Sequence, residues 1–160
     1  MIYKILTLNI PKHYLIYVFN KNIDKKLKQY CYKDLTGKIL GQRNYYEMYF
    51  TYEQGKRFFY DIFPFECRGY QYVYLPPYYN MVIHKDIQYI THRIGCLLKG
   101  TADILFFDDT EEKIIAKYNY DKPILTNVQI KHTVRNNSHY RLTFFVNFTK
   151  EHINEYKKLL

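Results

Sequence analysis

Arg141-Leu142-Thr143-Phe144-Phe145-Val146-Asn147-Phe148 is the stretch on which the fold turns. Leu142, Phe144, Val146 and Phe148 alternate with Arg141, Thr143, Phe145 and Asn147, the period of two that a strand imposes on its side chains. With Tyr140 the first set makes an unbroken apolar face for a core, and with His139 the second set faces away from it. Just upstream, Val128, Ile130, His132 and Val134 share one side, and Gln129, Lys131, Thr133 and Arg135 the other. The pattern predicts a final hairpin of strands at about 127–134 and 139–148, turning around Asn136-Asn137.

The same alternation recurs towards the N-terminus. Tyr46, Met48, Phe50 and Tyr52 alternate with Tyr45, Glu47, Tyr49 and Thr51, and Glu53-Gln54-Gly55-Lys56 reads as a turn into a partner strand carrying Phe58, Tyr60 and Ile62. Tyr70, Tyr72 and Tyr74 line one face of a strand that Pro76-Pro77 ends. Residues 2–8 read as a strand, and residues 103–107 and 113–120 as a pair joined by an acidic turn.

Helical signals lie between the strands. Residues 14–19 after Pro11 suit a strand or a short helix, while Asp24 caps a helix whose Leu27, Tyr30, Cys31 and Leu35 share a face before Gly37. Ile87, Ile90, Ile94, Leu97 and Leu98 have helical spacing, closed by Gly100. Thr149 caps a terminal helix that packs Ile153, Tyr156 and Leu160. The expectation is one compact α+β domain over residues 1–160: a largely antiparallel sheet of hairpins with two or three helices on one side.

Composition narrows the classes. Twenty Tyr and 11 Phe, with no Trp, accompany a formal net charge of +9 in 160 residues. AT-rich codons alone would raise Ile, Lys, Asn, Tyr and Phe together, and Tyr is a good strand former. Residues 1–60 carry 11 Lys/Arg against 4 Asp/Glu, residues 61–121 carry 6 against 9, and residues 122–160 carry 7 against 2. No Gly/Ser linker, repeat or low-complexity tail separates these blocks. Cys31, Cys67 and Cys96 lack disulfide or zinc spacing. No apolar run nears the ~20 residues of a membrane span, so no membrane association is expected. The first residues alternate like a strand rather than a signal peptide, so the expectation is an intracellular chain of the cytoplasm or nucleus, with an organelle or a virion as alternatives.

For function, the outward side of the final hairpin offers Lys131, Arg135, His139 and Arg141 around Phe145. Cations beside an exposed ring suit a single-stranded backbone with a base stacked on the ring. The first expectation is therefore a non-enzymatic protein that binds RNA or single-stranded DNA, or a subunit of a nucleoprotein assembly. The alternative is a protein–protein or virus-encoded assembly module, self-associating or docking through the sheet edge or the Tyr70, Tyr72 and Tyr74 face.

Gly100-Thr101-Ala102-Asp103-Ile104-Leu105-Phe106-Phe107, a turn, then Ile114-Ile115-Ala116-Lys117 resembles the Asp–strand–turn–strand–Lys core of restriction-type nucleases. That resemblance implies magnesium on Asp103 with Asp108, Asp109 or Glu111 from the turn, Ile115 standing where the second carboxylate belongs. His84, Gln88, His92 and Cys96 would stack on one helix face without a third and fourth ligand. Neither phosphate-cradling nor nucleophile-elbow motifs occur. The reading leans away from an enzyme, with no catalytic residue, metal site or cofactor expected.

Overall fold

A computed structural model describes residues 1–136 and 139–159 and places Arg141–Phe148 at the centre of the molecule. The chain runs β1 (Tyr3–Ile5), α1 (Lys12–Lys26), β2 (Lys28–Lys33), β3 (Ile39–Thr51), α2 (Tyr52–Phe59), β4 (Gly69–Leu75) and β5 (His92–Lys99). It continues through β6 (Ala102–Phe107), β7 (Ile114–Asn119), β8 (Ile124–Asn127), β9 (His132–Asn136), β10 (Arg141–Phe148) and α3 (Lys150–Leu159).

Two antiparallel sheets result, one ordered β1-β8-β5-β10-β4-β3-β2 and the other β7-β6-β9. Residues 80–84 border β9 through isolated bridges from Asn80 to Arg135 and from His84 to His132. From β4 onward the path alternates between layers. β4, β5, β8 and β10 join the large sheet, while 80–84, β6, β7 and β9 join the small one, a jelly-roll course.

Each face of β10 has its own core. Leu142, Phe144, Val146 and Phe148 pack with Leu15, Val18 and Phe19 of α1, Phe59 of α2, and Ile153 and Tyr156 of α3. Arg141, Thr143, Phe145 and Asn147 turn into the space between the sheets, where Val73, Leu75, Ile124, Ile104, Phe106 and Val134 meet. Phe144 stands opposite Tyr72 on β4 and Cys96 on β5, so β10 has no free edge.

The expected α+β class is thus overturned: strands dominate and the three helices are short. The helices do cover one face, but a second sheet covers the other, where solvent was expected. The final hairpin also dissolves. β9 pairs with β6 while β10 pairs with β4 and β5, so the two strands lie in different layers. Asn137 in its expected turn, and Leu160 in the expected helix contact, lie outside the described residues.

Local rules explain the remaining shifts. Residues 12–26 form one helix with Pro11 at its N-cap, so Asp24 sits in the last turn and residues 28–33 become a strand. Thr51 and Gln54 form a reciprocal capping box that starts α2 where a turn and strand were expected. The helix expected from Ile87 to Leu98 is strand β5, with Ile94, Cys96 and Leu98 alternating towards the helices. At Gly95 a Cβ would collide with the Tyr120 hydroxyl, which crosses the strand there. Among the described residues no helix is long and apolar enough to cross a membrane.

Candidate metal centre

His84 and Asp86 lie on the segment between β4 and β5, and His132 opens β9. One ligand atom from each lies within 4.8 Å of the others. His84 Nε2 is 3.5 Å from Asp86 Oδ1 and His132 Nε2 is 3.8 Å from the same oxygen, with the two ring centroids 4.5 Å apart. His84 Nδ1 lies 2.7 Å from the Val82 carbonyl and His132 Nδ1 lies 2.8 Å from the Ile130 carbonyl. A carbonyl only accepts, so each Nδ1 carries a proton and Nε2 is the ring nitrogen that faces Asp86.

Electrostatics set the charge of Asp86 and of His132. Burial works against a charged Asp86, but the Arg93 guanidinium and the two imidazoles outweigh it and bring the carboxyl to about 2. Burial and the neighbouring His84 bring His132 down to about 4, against the pull of Asp86. At neutral pH the cluster is therefore one carboxylate and a neutral His132. Two imidazoles and one carboxylate whose ligand atoms lie this close form a donor set suited to a divalent first-row transition metal, iron(II) in particular.

The supports are specific. Arg93 Nη1 makes an ion pair of 2.9 Å with Asp86 Oδ2, and its guanidinium lies 5.2 Å from the Phe145 ring centre. Gln129 Nε2 donates to the carbonyls of Asp86 and Ile87, each at 3.3 Å, and of Ile90 at 2.7 Å, latching the segment that carries Asp86. The Asp86 amide donates to the Val128 carbonyl at 3.0 Å. The Thr133 hydroxyl donates to the Met81 carbonyl, a further tie between β9 and the His84 segment.

Beside the cluster opens a cavity of about 340 Å³ between the sheets. Arg141, 1% exposed, reaches into it with Nε and Nη2 lacking any hydrogen-bond partner. Its guanidinium lies 5.0 Å from the Tyr120 ring centre and makes no ion pair among the described residues. Burial lowers its pKa, with Tyr120 opposing. A buried cation without a counter-ion is costly, and two free N–H groups on one guanidinium edge match the two oxygens of a carboxylate.

The residues expected at a nucleic-acid surface are dispersed. Lys131 is half-buried, donating to the Asp109 carbonyl at 2.7 Å and pairing with Glu111 at 2.8 Å; Arg135 and His139 are exposed. Arg141 and Phe145 line the cavity instead of facing solvent, because the second sheet covers that side of β10. Tyr70 and Tyr72 are fully buried under the helices, with Tyr72 donating to the Leu15 carbonyl at 2.7 Å, while half-buried Tyr74 stacks on Tyr140.

The nuclease-like residues are likewise engaged elsewhere. Asp103 pairs with Lys117 at 3.0 Å, and Asp108 accepts from Thr110 at 2.9 Å to shape the turn. Lys85 reaches Asp109 at 3.3 Å, so the acidic turn is tied to the residues beside both His84 and His132. The His84-x-Asp86 spacing is a signal present in the sequence, whereas the helix expected to carry His84 with His92 and Cys96 does not form.

No family model and no curated protein matches the sequence. Solved structures do match in shape. A prolyl-4-hydroxylase from Pseudomonas putida superposes with a TM-score of 0.58 at 10% identity, covering 92% of this chain and 92% of that one. An oxidoreductase of the 2OG-Fe(II) oxygenase family from Burkholderia pseudomallei gives 0.52 at 14% identity, covering 86% of this chain and 79% of that one. The likeness is one of fold. The expected nucleic-acid-binding function is overturned because the strand face that supported it is a cavity wall, and the virus-encoded assembly alternative because Tyr70 and Tyr72 are buried in the helix-side core.

Proposed function

We propose that this protein is a non-haem iron(II) oxygenase with 2-oxoglutarate as co-substrate. The observation that carries the reading is the pairing, on one cavity, of the His84, Asp86 and His132 cluster with the unpartnered guanidinium edge of Arg141. With three protein ligands, a metal held there would keep other positions open, which suits oxygen chemistry. Iron held there would supply the binding and activation of dioxygen.

The chain's own residues do the rest. Arg141 holds the distal carboxylate of 2-oxoglutarate through Nε and Nη2, and Tyr120 packs against the guanidinium. Arg93 holds Asp86 charged and aimed at the two imidazoles. Val73, Ile104, Val128 and Val134 line the cavity and limit bulk water around the charged groups. The likeness in fold to the two oxygenase-type structures supports the reading.

The metal component is tested by manganese(II) binding followed by electron paramagnetic resonance, with manganese standing in for iron. One ion should bind per chain, and His84→Ala, Asp86→Asn and His132→Ala should each abolish tight binding while the far-ultraviolet circular dichroism stays unchanged. Undiminished binding in all three folded variants would rule the site out.

A further inference from the structure

The cavity has a wall that neither the metal cluster nor Arg141 uses. β3 places Tyr45, Glu47 and Tyr49 on it, as alternate residues of one strand. Tyr30 of β2 stacks on Tyr45 with ring centroids 4.8 Å apart. From β4, Gln71 Nε2 donates to Glu47 Oε2 at 2.7 Å. Tyr49 and Tyr89, both exposed, mark where this wall meets solvent.

Glu47 and Asp86 are the two carboxylates lining the cavity, and their situations are opposite. Asp86 is matched by Arg93, whereas Glu47 makes no ion pair among the described residues. The other lining cations are engaged or belong to the Arg141 end: Arg93 on Asp86 and over Phe145, Lys85 on Asp109. Burial accordingly pushes the Glu47 carboxyl upward, against the Gln71 hydrogen bond and the pull of Arg93.

A half-desolvated carboxylate beside tyrosine rings is completed by a cation: the carboxylate supplies the charge and the ring faces a favourable quadrupole. A neutral donor would satisfy an oxygen lone pair and leave the charge unmatched. We propose that Glu47, with Tyr30, Tyr45 and Tyr49 around it, recognises an alkylammonium group of the lysyl type on the substrate. The proposal rests on reading this cavity as the oxygenase site.

Two uncharged-backbone probes test it: Nα-acetyl-lysine N-methylamide and its neutral isostere Nα-acetyl-norleucine N-methylamide, titrated calorimetrically into the protein with and without manganese(II). The lysyl probe should bind at least tenfold more tightly. Glu47→Gln, which preserves shape, should remove that preference while leaving manganese affinity and melting temperature unchanged, and Tyr49→Leu should weaken the lysyl probe alone. Equal affinities for the two probes, or a preference that survives in folded Glu47→Gln, would overturn the assignment. Manganese binding is scored separately. Lysyl selectivity without metal binding would sustain the Glu47 site and remove the oxygenase reading, whereas metal binding without selectivity would remove only Glu47.

Discussion

His84 and His132 are cross-strand partners: the amide of His84 donates to the His132 carbonyl at 3.0 Å and that of His132 returns the bond at 2.9 Å. The spacing of the two imidazoles is therefore set by a backbone ladder rather than by side-chain freedom. Forty-seven residues lie between them along the chain, so the pair exists only once the small sheet has formed. Asp86, two residues beyond His84, then completes the set with little further ordering.

Gln129→Leu should weaken manganese binding by roughly 10- to 100-fold, the usual cost of removing an outer support of a metal site. The variant loses three bonds to backbone carbonyls of the segment carrying Asp86, that of Asp86 among them, and touches no ligating side-chain atom. Metal titration checks the affinity, and circular dichroism should show an unchanged fold.

Lys131→Met should lower metal affinity less, by up to about tenfold, because it frees the turn holding Asp109 and Glu111 without releasing Asp86. Its effect on stability should stay within about 1 kcal/mol in chemical denaturation, since the ion pair is partly exposed.

Phe144→Ala and Phe145→Ala separate the two faces of β10. Phe144 is fully buried among Phe59, Phe63 and Tyr72, and its loss should cost about 3–5 kcal/mol in urea denaturation. Phe145 borders an existing cavity, so its truncation should cost clearly less.

The strand alternation that separates these two phenylalanines was legible in the sequence, as were β4 and the β6–β7 pair. What alternation could not supply was the identity of the layer facing each side. Arg141, Thr143 and Asn147 look like a solvated face, and polar residues lining a buried cavity have the same pattern. β5 was misread because Ile87, Ile90, Ile94, Leu97 and Leu98 satisfy helical spacing although Ile87 is exposed and lies outside the strand. That error moved His84 onto a helix with His92 and hid its relation to Asp86. No local signal links His132 to the pair, since tertiary structure alone brings it there.

Arg141→Met should leave the ligand-free protein as stable as wild type or up to about 4 kcal/mol more stable, because it replaces an unpaired buried cation with an apolar chain of similar length. A rise or no change in thermal midpoint is the expected result, and a fall of several kcal/mol would mean that the guanidinium is already matched within the fold.

The central claim is that one cavity holds a metal on His84, Asp86 and His132 and a dicarboxylate on Arg141. Calorimetric titration of 2-oxoglutarate into manganese-loaded protein without dioxygen tests it most directly. The account predicts stoichiometric binding that falls by at least tenfold without metal, and by at least tenfold in Arg141→Met with its metal still bound. An absence of 2-oxoglutarate binding to the metal-loaded protein, or equal affinity in wild type and Arg141→Met, would contradict it.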